Sequence, residues 1–224
     1  MGPRQTGSIE IGGCAVDVWP AGTRIDDWFE PSIKVVHFDD AATVHPGLIA
    51  RTLALEGDAT LSRAFAGHIG CSKIYHLDRW GCPEADLVHA RARELFKRVV
   101  VAPTAVVDLS WASIYRQGDY CLPHAHERAL ASVVYFLALG AGDLDGPGRG
   151  RFCFADPRLK ACCQGKEPVM TTPCGPIVRD GTMIIFPGQL VHFVDVYRLP
   201  GTRISMSWNI NPAAISGDPL AAAG

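Results

Sequence analysis

Apolar residues in the first half of the chain recur at the three-to-four spacing of amphipathic helices. Residues 41–98 favour helix, and within them 45–56 and 83–96 each carry a proline near the start, where a helix does not need the missing amide hydrogen. In the second segment Leu87 and Leu95 lie on one face, while arginines on the other can stay in water. We predict two helices that buttress a sheet.

The pattern changes from residue 105 onward to short runs of β-branched and aromatic residues cut by Gly, Pro and Asp. Such runs, without helices between them, are typical of an antiparallel barrel or sandwich. Two earlier segments, 8–18 and 33–38, can add edge strands. The strands predicted in the second half are 106–114, 131–139, 150–154, 181–186, 191–197 and 203–210.

Length and composition fit one sizeable core, since the chain has 224 residues of which 48% are hydrophobic and 20% charged. We therefore predict a single domain over residues 1–224, mainly β with flanking α. Its N-terminal strands and supporting helices would span about 8–100, and its β core about 105–212.

Charge and hydropathy exclude several classes of partner. A formal net charge of -2 gives no broad field for nucleic acid or an anionic membrane. There is no apolar run of the roughly 18 residues that a membrane span needs, and the N-terminus lacks a signal-peptide core. We expect a cytoplasmic protein. Its eight cysteines are too few for a disulfide scaffold in a chain of this length, so we expect mostly reduced thiols. The sequence is compatible with a homodimer.

Three histidines supply the clearest chemical signal. His124 and His126 flank Ala125, and His192 follows 66 residues later. Because strand side chains alternate, we expect the first two to point the same way, and a third from a neighbouring strand completes one face of an octahedron. Such a face suits non-haem iron. The other histidines lack partners at ligand spacing and are expected to be exposed or hydrogen-bonded: His37, His45, His68, His76 and His89.

The segment around these histidines resembles the 2-oxoglutarate- and Fe(II)-dependent oxygenases. It has the prolyl-4-hydroxylase-like pattern Y-x-x-G-x(5)-H, and it is more similar to a group of bacterial and phage oxygenases with P-H-x-H, F-x-D-P-R, F-P-x-x-L-x-H and R-I-S-x-S-x-N motifs. The residues that carry the resemblance are Trp111, Tyr115, Gly118, Tyr120, Pro123, His124, His126, Ser132, Tyr135, Phe154, Asp156, Pro157, Arg158, Phe186, Pro187, Leu190, His192, Arg203, Ile204, Ser205, Ser207 and Asn209.

The resemblance implies a double-stranded β-helix, of the jelly-roll or cupin-like kind, that uses Fe(II), 2-oxoglutarate and O2. It implies that Arg203, eleven residues after His192, binds the outer carboxylate of 2-oxoglutarate. Ser205, on the same strand face, and Tyr115 would add hydroxyl donors. It also implies hydroxylation of a small-molecule or peptidyl substrate, with release of succinate and CO2.

One ligand position departs from the family pattern. His126 stands where an Asp or Glu is usual, while the adjacent Glu127 is expected on the opposite strand face. A bulge would be needed to bring Glu127 to the metal. We expect three neutral imidazoles to hold the iron, although such a set also suits zinc, copper and nickel.

Two alternatives remain open at this stage. The histidine spacing also fits a three-histidine cupin-type dioxygenase that needs no 2-oxoglutarate, in which Arg203 would have no such role. A β-helix that has lost its catalytic activity can instead serve as a binding module. For Arg158 two predictions stand side by side, namely a contact with substrate or co-substrate and a place in a structural turn. The loops predicted to wall the pocket are 24–31, 80–83, 140–150 and 159–176.

Overall fold

The computed structural model describes residues 7–28, 32–62, 68–140, 149–163 and 174–217. Two α-helices, α1 (Ala41–Leu55) and α2 (Pro83–Val100), appear where helices were predicted. Helix α2 opens with Pro83 in its first turn, as expected. Helix α1 begins at Ala41 rather than beside Pro46, so that proline lies inside the helix.

Strands make up most of the remaining described chain. Four of them, the third, fifth, sixth and eighth, lie outside the strand ranges predicted from the sequence although they belong to the two main sheets. The strands are β1 (Ser8–Ile11), β2 (Cys14–Asp17), β3 (Asp26–Asp27), β4 (Lys34–His37), β5 (His68–Ile69), β6 (Ser72–Tyr75), β7 (Val106–Tyr115), β8 (Tyr120–His124), β9 (Ala131–Ala138), β10 (Phe152–Phe154), β11 (Thr182–Pro187), β12 (His192–Val194) and β13 (Arg203–Asn211).

The strands from β7 onward alternate between two antiparallel sheets. The major sheet has the order β3-β4-β11-β9-β13-β7-β6, and the minor sheet has the order β10-β12-β8-β5. Each step along the chain from β7 to β13 therefore crosses from one sheet to the other, which winds the chain as a double-stranded β-helix. A separate hairpin of β1 and β2 contacts α2. The predicted fold class is confirmed.

The major sheet is buried on both faces, which explains its nearly continuous apolar runs. On β9, Val133 and Tyr135 face the helices, while Val134 and Phe136 face the minor sheet. Phe136 meets Phe152 of the minor sheet with ring centroids 6.1 Å apart. Helices, major sheet and minor sheet thus form three layers with a core on each side of the major sheet.

The inner face of β13 departs from this apolar pattern. Its outer-face residues, including Met206 and Trp208, join the helix-side core. The residues between them are polar yet buried, namely Arg203, Ser205, Ser207, Asn209 and Asn211. Buried polar side chains are costly unless they are paired or used. This strip marks the part of the inter-sheet space where ligand chemistry is expected.

The prediction that the loop at 80–83 walls the pocket is wrong. Trp80 is fully buried in the helix-side core, and its indole Nε1–H donates to the carbonyl of Tyr75 at 3.1 Å. The loop at 80–83 therefore belongs to the helix layer behind the major sheet. Of the other predicted loops, residues 29–31, 141–148 and 164–173 lie outside the described part of the chain.

None of the helices in the described ranges has the length and apolar character that crossing a membrane requires.

A carboxylate clamp fixes the turn that leads into β12. Asp156 Oδ2 accepts the backbone N–H of Val191 at 2.9 Å, and Asp156 Oδ1 accepts the Arg158 side chain at 2.8 Å. Arg158 also donates to the carbonyl of Gln189. Arg158 is therefore part of a structural turn. Its hydrogen bonds to Asp156 lower the pKa of that carboxyl group to about 2.

We predict that Asp156→Asn lowers the free energy of unfolding by about 2 kcal/mol at pH 6, because charge-assisted hydrogen bonds in a buried clamp are lost. Since the folded-state pKa is depressed, this stabilisation is complete above about pH 4 and disappears as the pH falls towards 2. Urea denaturation of both proteins at pH 6 and pH 3 measures the difference. A difference that does not shrink at low pH would contradict the assignment.

A glycine lets the segment after β8 pack against the turn after β11. The backbone N–H of His126 donates to the carbonyl of Gly188 at 2.7 Å. A Cβ at position 188 would lie 2.7 Å from the carbonyl oxygen of His126 and would overlap that of Ala129. Only a residue without a side chain fits there unless the backbone moves.

Gly188→Ala is therefore predicted to displace His126 and weaken metal binding by about tenfold, since one of the three predicted ligands would be mispositioned. Fe(II) titration under argon measures the affinity, and circular dichroism reports the fold. Gly7→Ala is the matched control, because nothing lies within 4 Å of a Cβ at that position. Equal metal affinity in all three proteins would show that Gly188 does not position the ligand.

Candidate metal centre

The minor sheet brings two of the three predicted histidines together directly. His124 ends β8 and His192 begins β12, and the two are paired across the antiparallel ladder. One ligand atom from each of His124, His126 and His192 can be chosen so that all lie within 4.8 Å of one another. Among the described His, Cys, Asp and Glu residues, this is the one such group found.

Backbone carbonyls orient two of the imidazoles. Nδ1 of His124 lies 2.8 Å from the carbonyl oxygen of Leu122, and Nδ1 of His192 lies 2.8 Å from that of Leu190. Because a carbonyl only accepts, Nδ1 of each ring is assigned the hydrogen and Nε2 keeps its lone pair for a metal. This is a common arrangement for a ligating histidine.

Burial also keeps these rings neutral. It lowers the pKa of His124 to about 4 and, with the charge of His124 adding to it, lowers that of His192 to about 3. A neutral imidazole is the form that binds metals, so no proton needs to be displaced near pH 7.

His126 joins the histidine group through tertiary contacts and not, as predicted, through strand alternation. Strand β8 ends at His124, so His126 lies in the following loop and strand alternation does not orient it. Its backbone is tied to Gly188, and its ring lies edge-on to Trp111 with centroids 5.4 Å apart. Glu127 is exposed in the next turn and is not a member of the histidine group.

Arg203 lies on the inner face of the major sheet and is 1% exposed. Its guanidinium stacks on the rings of Tyr115 at 4.9 Å and Phe136 at 5.8 Å, and Nη1 lies 3.4 Å from Ser205 Oγ. Its Nε has no hydrogen-bond partner, and no described carboxylate pairs with the side chain. A buried guanidinium with an unused donor is suited to binding a carboxylate.

Tyr115 lies opposite Arg203 across the β7–β13 ladder, and Ser205 lies opposite Ser113. Burial raises the pKa of the Tyr115 phenol well above its usual value, so the hydroxyl keeps its proton. The structure thus gathers the three residues predicted to hold 2-oxoglutarate on one inner face. Each offers a hydrogen-bond donor to an anion.

Sequence reasoning missed Lys73 on β6. It is only 4% exposed and faces Ser113 on the inner face, with Nζ 4.6 Å from the centre of the Trp111 ring. A single lysine in a four-residue strand gives no periodic signal. The only hint in the sequence is its place before the apolar pair Ile74 and Tyr75.

Three histidines outside the group are hydrogen-bonded, as predicted for residues that do not bind metal. His45 Nε2 lies 2.7 Å from the Tyr135 hydroxyl. His37 Nδ1 lies 2.9 Å from Thr182 Oγ1, and His89 Nδ1 accepts from the Trp208 indole at 3.2 Å.

Comparison with known proteins identifies the β core. Residues 109–209 match a family model described as "Putative 2OG-Fe(II) oxygenase". That segment contains the three histidines together with Tyr115, Arg203 and Ser205. No curated protein matches the chain.

Solved structures share the fold at low sequence identity. A collagen prolyl hydroxylase of Paramecium Bursaria Chlorella virus-1, in complex with 2OG, is 15% identical with a TM-score of 0.53 over 80% of this chain and 95% of its own. A Pseudomonas putida prolyl-4-hydroxylase is 18% identical with a TM-score of 0.51 over 79% and 91%. The α-ketoglutarate-dependent epimerase SnoN of nogalamycin biosynthesis is 12% identical with a TM-score of 0.59 over 80% and 77%.

These likenesses establish the double-stranded β-helix, and the family match establishes the chemistry. The family uses Fe(II), 2-oxoglutarate and O2. The resemblance seen in the sequence is thereby confirmed: residues 109–209, which contain the histidine group, match the model of this oxygenase family, and the protein is a 2-oxoglutarate- and Fe(II)-dependent oxygenase, an oxidoreductase.

Proposed function

We propose that His124, His126 and His192 hold Fe(II), that Arg203, Ser205 and Tyr115 hold 2-oxoglutarate, and that the enzyme hydroxylates an unactivated C–H bond. The observation that carries this assignment is a buried arginine with an unused donor on the wall facing a convergent histidine group. The reaction would release succinate and CO2.

The histidine group fits a metal ion of this kind. Two of its rings have Nδ1 engaged by carbonyls, so their Nε2 atoms are the donors left for metal. Three protein ligands leave open positions for co-substrate and oxygen. Because all three imidazoles are neutral, the charge of Fe(II) is left for the 2-oxoglutarate dianion to balance.

The Arg203 pocket fits a carboxylate. The planar guanidinium can donate two parallel hydrogen bonds, and its stacking on Tyr115 fixes the plane in which it does so. Ser205 Oγ lies beside it and can donate a third bond. A carboxylate bound beside Arg203 would balance the positive charge of this buried side chain.

When bound, iron, 2-oxoglutarate and oxygen together supply the oxidising power, and the protein supplies placement and a dry site. The ring of His192 packs against Phe152 at 5.4 Å and Phe186 at 4.8 Å, and these two rings also contact each other at 5.7 Å. This aromatic packing shields one side of the group from water, which protects reactive species from side reactions. We place the substrate towards Trp111 and the loop of His126, where His124 and His126 are only partly buried.

The substrate class is a small molecule or a peptide side chain. Structures with this fold include a prolyl hydroxylase in complex with a peptide fragment and the SnoN epimerase in complex with nogalamycin RO. The fold therefore does not choose between the two kinds of substrate. A three-histidine cupin-type dioxygenase is the alternative function, but it gives Arg203 and Ser205 no ligand to bind.

Anaerobic addition of Fe(II) and 2-oxoglutarate should produce the visible charge-transfer absorption of a chelated keto acid. Arg203→Met should raise the 2-oxoglutarate concentration needed for half of that absorption by about tenfold to a hundredfold, because one charge-assisted carboxylate contact is lost. Metal affinity should not change. Arg198→Met removes an exposed arginine and is the matched control.

The other functions give different results. Tight metal binding without the absorption band would favour the cupin-type enzyme. Absence of metal binding would favour a non-catalytic module. A normal band with unchanged co-substrate affinity in Arg203→Met would leave the enzyme class intact and remove Arg203 from the site.

A further inference from the structure

We propose that Lys73 is a specificity-determining residue that pairs with a carboxylate of the substrate. This inference rests on the proposed function, because it assumes that the histidine group and Arg203 hold iron and 2-oxoglutarate. It adds a substrate class, organic acids or peptides with an acidic group, to an enzyme whose substrate the fold leaves open.

Lys73 lies inside the site and not on the surface of the protein. Strand β6 places it opposite Ser113, which in turn lies opposite Ser205 on β13. Its neighbour Ile74 points the other way into the helix-side core. Lys73 is therefore on the inner face that also carries Arg203.

The ammonium group lies on the His126 side of the site. Its Nζ sits 4.6 Å from the centre of the Trp111 ring, and the centroids of the Trp111 and His126 rings are 5.4 Å apart. The Trp111 ring therefore links this cation to the His126 side of the histidine group.

Arg203 lies on the same inner face as Lys73 but contacts a different aromatic residue of β7. It stacks on Tyr115, whereas Lys73 stacks on Trp111, and these two aromatic residues are four positions apart on β7. Four strand residues span roughly 13 Å, so the two rings direct these cations to different parts of the inner face. A keto acid held by Arg203 would lie at the Tyr115 end, and an anion that pairs with Lys73 would then belong to a second molecule.

Charge favours an anionic second molecule. The three histidines add no negative charge to the iron, and the 2-oxoglutarate dianion balances the metal but leaves the charge of Arg203. Lys73 adds another positive charge; burial lowers its pKa to about 8, so it stays mostly protonated at pH 7. A substrate cation would be repelled, while a carboxylate would gain a charge-assisted hydrogen bond.

Matched probes test the proposal. Wild type and Lys73→Met, each loaded with Fe(II) and saturating 2-oxoglutarate under argon, are titrated with 3-phenylpropionate and with 3-phenylpropionamide in a calorimeter. Saturating 2-oxoglutarate keeps the probe out of the co-substrate site. Methionine keeps the length and volume of the lysine stem, so the wall stays filled. Lys97→Met removes a helix-surface lysine that pairs with Glu94 and serves as the control.

We expect wild type and the Lys97 variant to bind the acid at least about tenfold more tightly than the amide, and Lys73→Met to lose this preference, since one charge-assisted contact is removed. No preference in wild type, or the same preference in Lys73→Met, would overturn the proposal. The charge-transfer absorption separates the remaining outcomes. If wild type lacks it, the proposed function fails; if only Lys73→Met lacks it, Lys73 belongs to the co-substrate site and the substrate assignment fails.

Discussion

The antiparallel register that sets His192 opposite His124 is the constraint on which the site depends. A shift of one residue in either strand would turn one imidazole to the other face of the minor sheet. Two features hold this register. The Asp156 clamp fixes the turn before β12, and β10 pairs with the other edge of β12, with Phe154 opposite His192. The third histidine depends on that same arrangement, because the turn after β11 that carries Gly188 also anchors His126.

The two faces of β13 show how one strand serves stability and chemistry together. Its outward residues fill the core beneath the helices, where Trp208 and Ile210 are fully buried. Its inward residues are polar, and one of them, Asn211, holds the loop that follows His126. Asn211 accepts the backbone N–H of Leu130 at 2.8 Å and donates to the carbonyl of Arg128 at 3.1 Å. The helix-side core therefore secures the strand, and the strand is free to present Arg203 to a ligand.

Much of this organisation could be predicted from sequence, because it rests on local patterns. Six strands of the second half, both helices and the three histidines carry clear periodicity or spacing. The short strands β5 and β6 could not be found this way, because a two- or four-residue run has no measurable period and β6 lies in a helix-rich stretch. Lys73 was missed with β6. The prediction that strand alternation orients His126 was wrong, because tertiary contacts to Gly188 and Trp111 position that residue.

The central claim is that an all-histidine face holds the iron, and counting its nitrogen ligands tests that claim most directly. The nitrosyl adduct of the Fe(II)–2-oxoglutarate enzyme, made with and without ¹⁵N-labelled histidine, can be examined by pulsed electron paramagnetic resonance. Three coordinated imidazole nitrogens in the wild type, and two in His126→Ala, are the predicted result. Two nitrogens in both proteins would contradict the claim and would assign the third position to Glu127 or to water.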